Sequence, residues 1–131
     1  MTKGTFTVDL AKLQAMGGAV TRSYQFKNQY NEEHGEEGST RVYYGVKLRD
    51  FLAKQGVAID KLGSGATLVA TARDGDRVTI YYNDIISDNT LLAWEMNGSS
   101  IGSEAPRLCP GWTTGVNSLL FLKGVVSITL S

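Results

Sequence analysis

The residues best able to do chemistry lie in the last third of the chain. Arg107 stands on a short apolar run, Pro106-Arg107-Leu108-Cys109, which Pro110-Gly111 breaks at once. A strand ended this way aims a cation and several backbone N–H groups into one loop, as an anionic ligand requires. The planar fork of Arg107 suits a phosphate or a substrate oxyanion, and equally an ion pair with Glu104 or Glu95. Beyond it, Gly115, Asn117 and Ser118, with Thr113-Thr114, are polar groups on a Gly loop that would cradle an anion. Loops use the same residues for their own turn hydrogen bonds. Cys109 is the only cysteine. It reads as a substitute metal ligand or reactive thiol, or as a small apolar residue on a buried strand; the second is the usual fate of a free cysteine and the one expected here.

Other groups carry less. His34, the only histidine, sits among Glu32, Glu33, Glu36 and Glu37; a metal site or acid–base pair competes there with a plain solvated loop, and the loop is expected. Arg22, Lys27 and Arg41 alternate with aromatics, forming either a basic strip or a solvent-facing sheet edge. Trp94 and Trp112 read as core and loop packing. No Ser-His-Asp set, phosphate-binding Gly loop, zinc spacing or defensible carboxylate pair is visible.

A chain of 131 residues makes one domain, residues 1–131, with room for a proper core. Its 13 basic and 13 acidic side chains balance, so no field favours nucleic acid or an anionic membrane. No apolar run approaches the roughly 20 residues of a membrane span, and the first residues lack a signal-peptide pattern. One cysteine excludes an internal disulfide. With 15 Gly and 2 Pro, the chain turns often.

The elements that must position these groups follow from periodicity and turn chemistry. Thr5 to Val8 alternates as a strand, and Asp9 can cap a short helix through Leu10, Leu13 and Met16 that Gly17-Gly18 ends. Val20 to Tyr30 reads as a long strand and Arg41 to Tyr44 as a short one. Val46, Leu48, Phe51 and Leu52 have helical spacing, with Gly56 as the stop after Gln55. Ala66–Ala72 and Arg77–Tyr82 are strands joined at Asp74-Gly75-Asp76. Asn83–Ser87 is a turn or short helical segment. Leu91–Met96 is a strand closed by Asn97-Gly98, the strongest short hairpin signal, and Val125–Leu130 closes the fold. Strands dominate and helices are short, which predicts an α+β domain on antiparallel or mixed sheets.

These segments resemble a known family. LLAWEMNGSSI…APRLCPGW…G is similar to the LLA-x-EMNG-x-x-[IL]…P-x-R-[IL]-x-x-PG…G run of the sulfite oxidase family, the oxidoreductase molybdopterin-binding domain. VYYGVKLRDFLAKQGV and DGDRVTIYYNDIISDNTLLAWEMNG follow the family order, so the resemblance runs from about Phe6 onward. It implies the sulfite oxidase fold and a molybdopterin site to which Arg107, Cys109, Gly115, Asn117 and Ser118 would contribute. It also implies a molybdenum-ligating cysteine, since that metal favours sulfur; the matching position falls near Phe26, where no cysteine stands. A lysine expected near the phosphate is replaced by Leu120, and losing such a charge-assisted contact costs about 1.5–3 kcal/mol. The expectation is therefore a small domain of this fold that binds a pterin or related anionic ligand in the Arg107–Ser118 loop without the usual molybdenum–cysteine chemistry. An active enzyme would transfer oxygen atoms and pass electrons to a cytochrome-like partner, in the periplasm as many relatives do. The alternatives are a non-catalytic protein-interaction module with a decayed site, and a molybdenum-dependent oxidoreductase.

Overall fold

The computed structural model describes residues 1–26, 34, 39–111 and 120–131. Among these residues there are nine strands and three short α-helices: β1 (Gly4–Thr7), α1 (Leu10–Ala15), β2 (Val20–Phe26), β3 (Ser39–Lys47), α2 (Leu48–Lys54), β4 (Thr67–Ala72), β5 (Arg77–Tyr81), α3 (Tyr82–Ile85), β6 (Leu91–Met96), β7 (Ser99–Ser100), β8 (Arg107–Cys109) and β9 (Val125–Leu130). They form two sheets, and every pairing among the described residues is antiparallel. A four-stranded sheet runs β1-β9-β4-β5; a five-stranded sheet runs β2-β3-β6-β7, with β8 also on β6. The class is α+β.

Local chemistry explains most boundaries. Asp9 caps α1 by accepting the Lys12 backbone N–H at 3.1 Å, and Gly17 and Gly18 leave the helix at positive φ. Asn97 and Gly98 both have positive φ, the twist a tight β6–β7 hairpin needs. The Asn97 side chain also accepts from Val42 N at 2.9 Å, tying the turn to β3. In α2, Leu48, Phe51 and Leu52 form the buried face, each contributing about 1.5–3 kcal/mol of apolar burial.

Several boundaries differ from the sequence expectation, two of them for a clear reason. β3 spans Ser39–Lys47 rather than Arg41–Tyr44, and α2 begins at Leu48, not Val46. Val46 and Lys47 pair with Leu92 and Leu91, so partnering with β6 overrides their helical spacing. The long strand expected over Val20–Tyr30 is seen as Val20–Phe26; its remainder lies outside the described residues.

In the five-stranded sheet, β8 and the first four residues of β6 are buried on both faces. Leu92 and Trp94 of β6, Val46 of β3 and Leu108 of β8 point into the main core, with Leu68, Ala70 and Ile80 of the other sheet and Leu48, Phe51 and Leu52 of α2. Leu91, Ala93, Tyr43 and Cys109 point the other way, into a second cluster with Tyr24, Phe26 and Phe121. Burial on both faces is why β6 reads as a continuous apolar run rather than an alternating one. The β3–β6 register shifts between Tyr44 and Gly45, leaving Trp94 unpaired opposite, and Gly45 lies against the β6 backbone. A Cβ there would sit 2.2 Å from the Leu92 carbonyl oxygen. Gly45→Ala is therefore expected to cost at least about 2 kcal/mol as overpacking against backbone, seen as a lower urea midpoint at unchanged slope.

Candidate functional site

The second face of the five-stranded sheet gathers the residues that the sequence singled out. Strand alternation and register place Arg22, Tyr24 and Phe26 of β2, Arg41 and Tyr43 of β3, Leu91 and Ala93 of β6, and Arg107 and Cys109 of β8 on this one side. Phe121, from the segment after β8, packs over them. Its ring lies 5.2 Å from Tyr24, 4.8 Å from Phe26 and 5.7 Å from Tyr43, centroid to centroid, and the first two contacts are edge-to-face. An aromatic floor with arginines around it is the result.

The four rings impose polar consequences. Tyr24 is fully buried, and its hydroxyl donates to the Asn89 carbonyl oxygen. Burial pushes its phenol pKa far upward, with the buried Cys109 adding to the effect and Arg22 opposing it. The Tyr43 hydroxyl is buried without a hydrogen-bond partner among the described residues. Burial raises its pKa too, while interaction with the Arg41 side chain and the charges of Arg107 and Arg41 oppose the rise.

Each arginine is held differently. Arg107 is 5% exposed; its Nε donates to the Phe121 carbonyl at 3.0 Å, and one Nη meets Glu104 at 3.3 Å. The guanidinium stands 5.7 Å from the Tyr43 ring centroid. The ion pair with Glu104 is one of the two the sequence allowed; Glu95 is not the partner. Arg41 lies 4.3 Å over the Phe26 ring, a cation–π contact. Arg22 donates from Nε to Asn89 Oδ1 at 3.1 Å and from Nη1 to its neighbour's carbonyl, Thr21 O, at 2.9 Å. Neither Arg22 nor Arg41 has an acidic partner among the described residues. Both lie on one sheet face beside Phe26, Arg22 on the edge strand β2. Lys27 is outside the described residues.

The remaining candidates fall as follows. Cys109 is fully buried, and its thiol points back at the Arg107 carbonyl at 3.7 Å. Burial pushes its pKa well up, against the opposing charge of Arg107. Gly111 packs under two hydroxyls: a Cβ there would sit 2.6 Å from Ser87 Oγ and 2.9 Å from Thr90 Oγ1. Pro110-Gly111 thus permits a close approach as well as ending β8. Leu120 packs partly buried against the main core. Trp94 is a core residue, set edge-on to Tyr44 at 5.6 Å. Gly115, Asn117 and Ser118, with Trp112 and Thr113-Thr114, lie outside the described residues. Tyr24, Tyr43 and Phe121 were missed by the sequence reading as site residues; only the alternation of β2 and β3, taken together with their pairing, would have found the first two.

The donor set at this place does not fit a molybdenum–thiolate centre. A phenyl ring stands where the resemblance puts the ligand cysteine, and the one thiol present is sealed and held in its neutral form. Comparison with family models and with curated proteins gave no match for the chain.

Two measurements follow from the buried groups. Native Cys109 should react with a thiol reagent only as fast as the protein opens, and at the ordinary rate once unfolded. Alkali supplies the second. Cys109 and the tyrosines have folded pKa values above their unfolded ones, so the unfolded chain loses protons first and stability falls as pH rises. The decline should begin near the ordinary thiol value of 9.0 and steepen near 10.0 as Tyr24 and Tyr43 join. In Cys109→Ala the onset should move up to the tyrosine range, as measured by urea titration across pH.

Proposed function

We propose that this chain is a small ligand-binding domain of the sulfite oxidase fold that takes a molybdopterin-type or related anionic pterin and does not use molybdenum–thiolate chemistry. The observation that carries the reading is the pair Arg22 and Arg41, on an aromatic sheet face and without an acidic partner among the described residues. A phosphate-bearing pterin supplies the anion that these two guanidinium groups can bind bidentately, while the four rings, buried against one another, stiffen the sheet that carries them. From the resemblance, the loop carrying Gly115, Asn117 and Ser118 would add backbone amides to the phosphate. Arg107 would then act from behind, holding β8 and Phe121 in place through its bonds to Phe121 and Glu104. Such a pterin, when bound to metal, supplies oxygen-atom transfer in the family this chain resembles; no step of that kind is assigned here, because Phe26 and Cys109 offer no thiolate.

A second reading is favoured by one contact. Glu104 already neutralises Arg107 at 3.3 Å, as expected of a decayed cofactor site retained as a non-catalytic interaction module. The two readings separate on cofactor content. The chain is expressed in a host that makes molybdopterin, and released pterin is measured by fluorescence after oxidation, with molybdenum by elemental analysis. Pterin with little molybdenum is the expected result. The doubly substituted Arg22→Gln/Arg41→Gln chain should retain at least about tenfold less pterin, since hydrogen bonds to charged groups are the stronger ones. Stoichiometric molybdenum would sink the metal-free reading and restore an oxidoreductase. Absence of both from folded protein would leave the interaction module.

A further inference from the structure

A second site lies in the other sheet, at the junction of β5 and α3. Ser64, Tyr81, Tyr82, Asn83 and Asp84 line an open cleft of about 330 Å³, within the size range of small-ligand sites. Two features set it apart from ordinary surface. Tyr81 is 63% exposed, one of two large hydrophobic side chains so exposed among the described residues. Asp84 is half-buried and has no ion pair or hydrogen bond among the described residues. Burial raises its carboxyl pKa above the ordinary value. No lysine or arginine lines the cleft.

We propose that this cleft binds a neutral saccharide, with Tyr81 as the stacking platform and Asp84, Asn83 and Ser64 as partners for the sugar hydroxyls. The chemistry of the lining selects that class. A sugar ring has an apolar C–H face, which an exposed aromatic ring covers, and a rim of hydroxyls that both donate and accept. Asp84 accepts, while the Asn83 amide and the Ser64 hydroxyl do both. An anion meets the unpaired carboxylate with no cation to offset it, and is refused. An organic ammonium ion would suit the carboxylate, but aromatic recognition of such ions encloses the guest, and Tyr81 stands open. The surroundings extend the surface. Tyr81 pairs with Thr67 on the outer face of the four-stranded sheet, and the adjacent row is Thr79, Val69, Thr129 and Thr5. The last two hydroxyls are 3.1 Å apart. A chain of sugars leaving the cleft would cross a face of hydroxyls and methyls, so an oligosaccharide is expected to bind more tightly than a single residue.

The test is an NMR titration of the full ¹⁵N-labelled chain with cellohexaose, chitohexaose and maltohexaose, and separately with tetramethylammonium. At least one hexasaccharide should shift the amides of residues 81–84. Tyr81→Ala and Asp84→Asn should each weaken that binding about tenfold or more, while the urea midpoint stays near that of the parent chain, as expected for an exposed ring and for a half-buried carboxylate with no partner among the described residues. Binding should also weaken on acidification, starting at a higher pH than an ordinary carboxylate would give, because the carboxylate is the acceptor. Failure of all three sugars to bind would overturn the proposal. So would sugar binding that survives both substitutions, or tetramethylammonium shifting the same amides while the sugars do not. The Arg22→Gln/Arg41→Gln chain should bind the sugar unchanged, which separates this cleft from the pterin reading.

Discussion

The structure turns on one strand, β6, whose first four residues are buried on both faces of its sheet. Strand β6 has β3 on one edge and β7 and β8 on the other, and Leu91, Leu92, Ala93 and Trp94 in succession face alternate cores. A one-residue slip would exchange the two sets, sending Trp94 toward the second cluster and Ala93 into the main core. The shift between Tyr44 and Gly45 fixes the register instead, and only glycine lets β3 lie that close to the Leu92 carbonyl. Everything on the second face, including the arginines, inherits its position from that crossing.

Because that face is closed by Phe121 and three more rings, charges placed on it must be met locally. The three arginines solve the problem in three ways: Arg107 with a backbone carbonyl and Glu104, Arg41 with the face of Phe26, Arg22 with Asn89. Burying an unmatched cation costs several kcal/mol, so these contacts are conditions of the fold. They also determine what chemistry remains. Arg107 is committed to holding Phe121 and Glu104 together. Arg22 and Arg41 are half-buried and carry their charge near the edge of the aromatic floor. The same closure takes Cys109 out of reach: a thiol with no exposure and a raised pKa is a packing atom.

Turn chemistry made much of the fold legible in the sequence. The Asp9 cap, the Gly17-Gly18 exit, the Asp74-Gly75-Asp76 hairpin and the Asn97-Gly98 turn are local, each set by a few residues. The extra length of β3 was not legible, because Val46 and Lys47 carry a helical pattern and only their pairing with β6 decides otherwise. The site was half legible. Arg107 and Cys109 stood out by type, and the alternation of Arg22 and Arg41 with aromatics was visible. That Tyr43 and Phe121 would complete their surroundings was not, since Phe121 reaches the floor through tertiary contact and no motif announces it. The sequence alternatives for Arg107 included Glu95 as well as Glu104. Register resolves this: Glu95 pairs with Tyr44, which faces the main core, while Glu104 is three residues from Arg107 and meets it directly.

The choice of arginine over lysine on this face bears on what it can hold. A lysine in such surroundings shifts its pKa and sheds its charge when desolvated, whereas a guanidinium stays charged and is weakly hydrated. The Arg41 guanidinium can therefore keep its charge 4.3 Å from the centre of the Phe26 ring. Charge is held on this face by the same packing that positions β6.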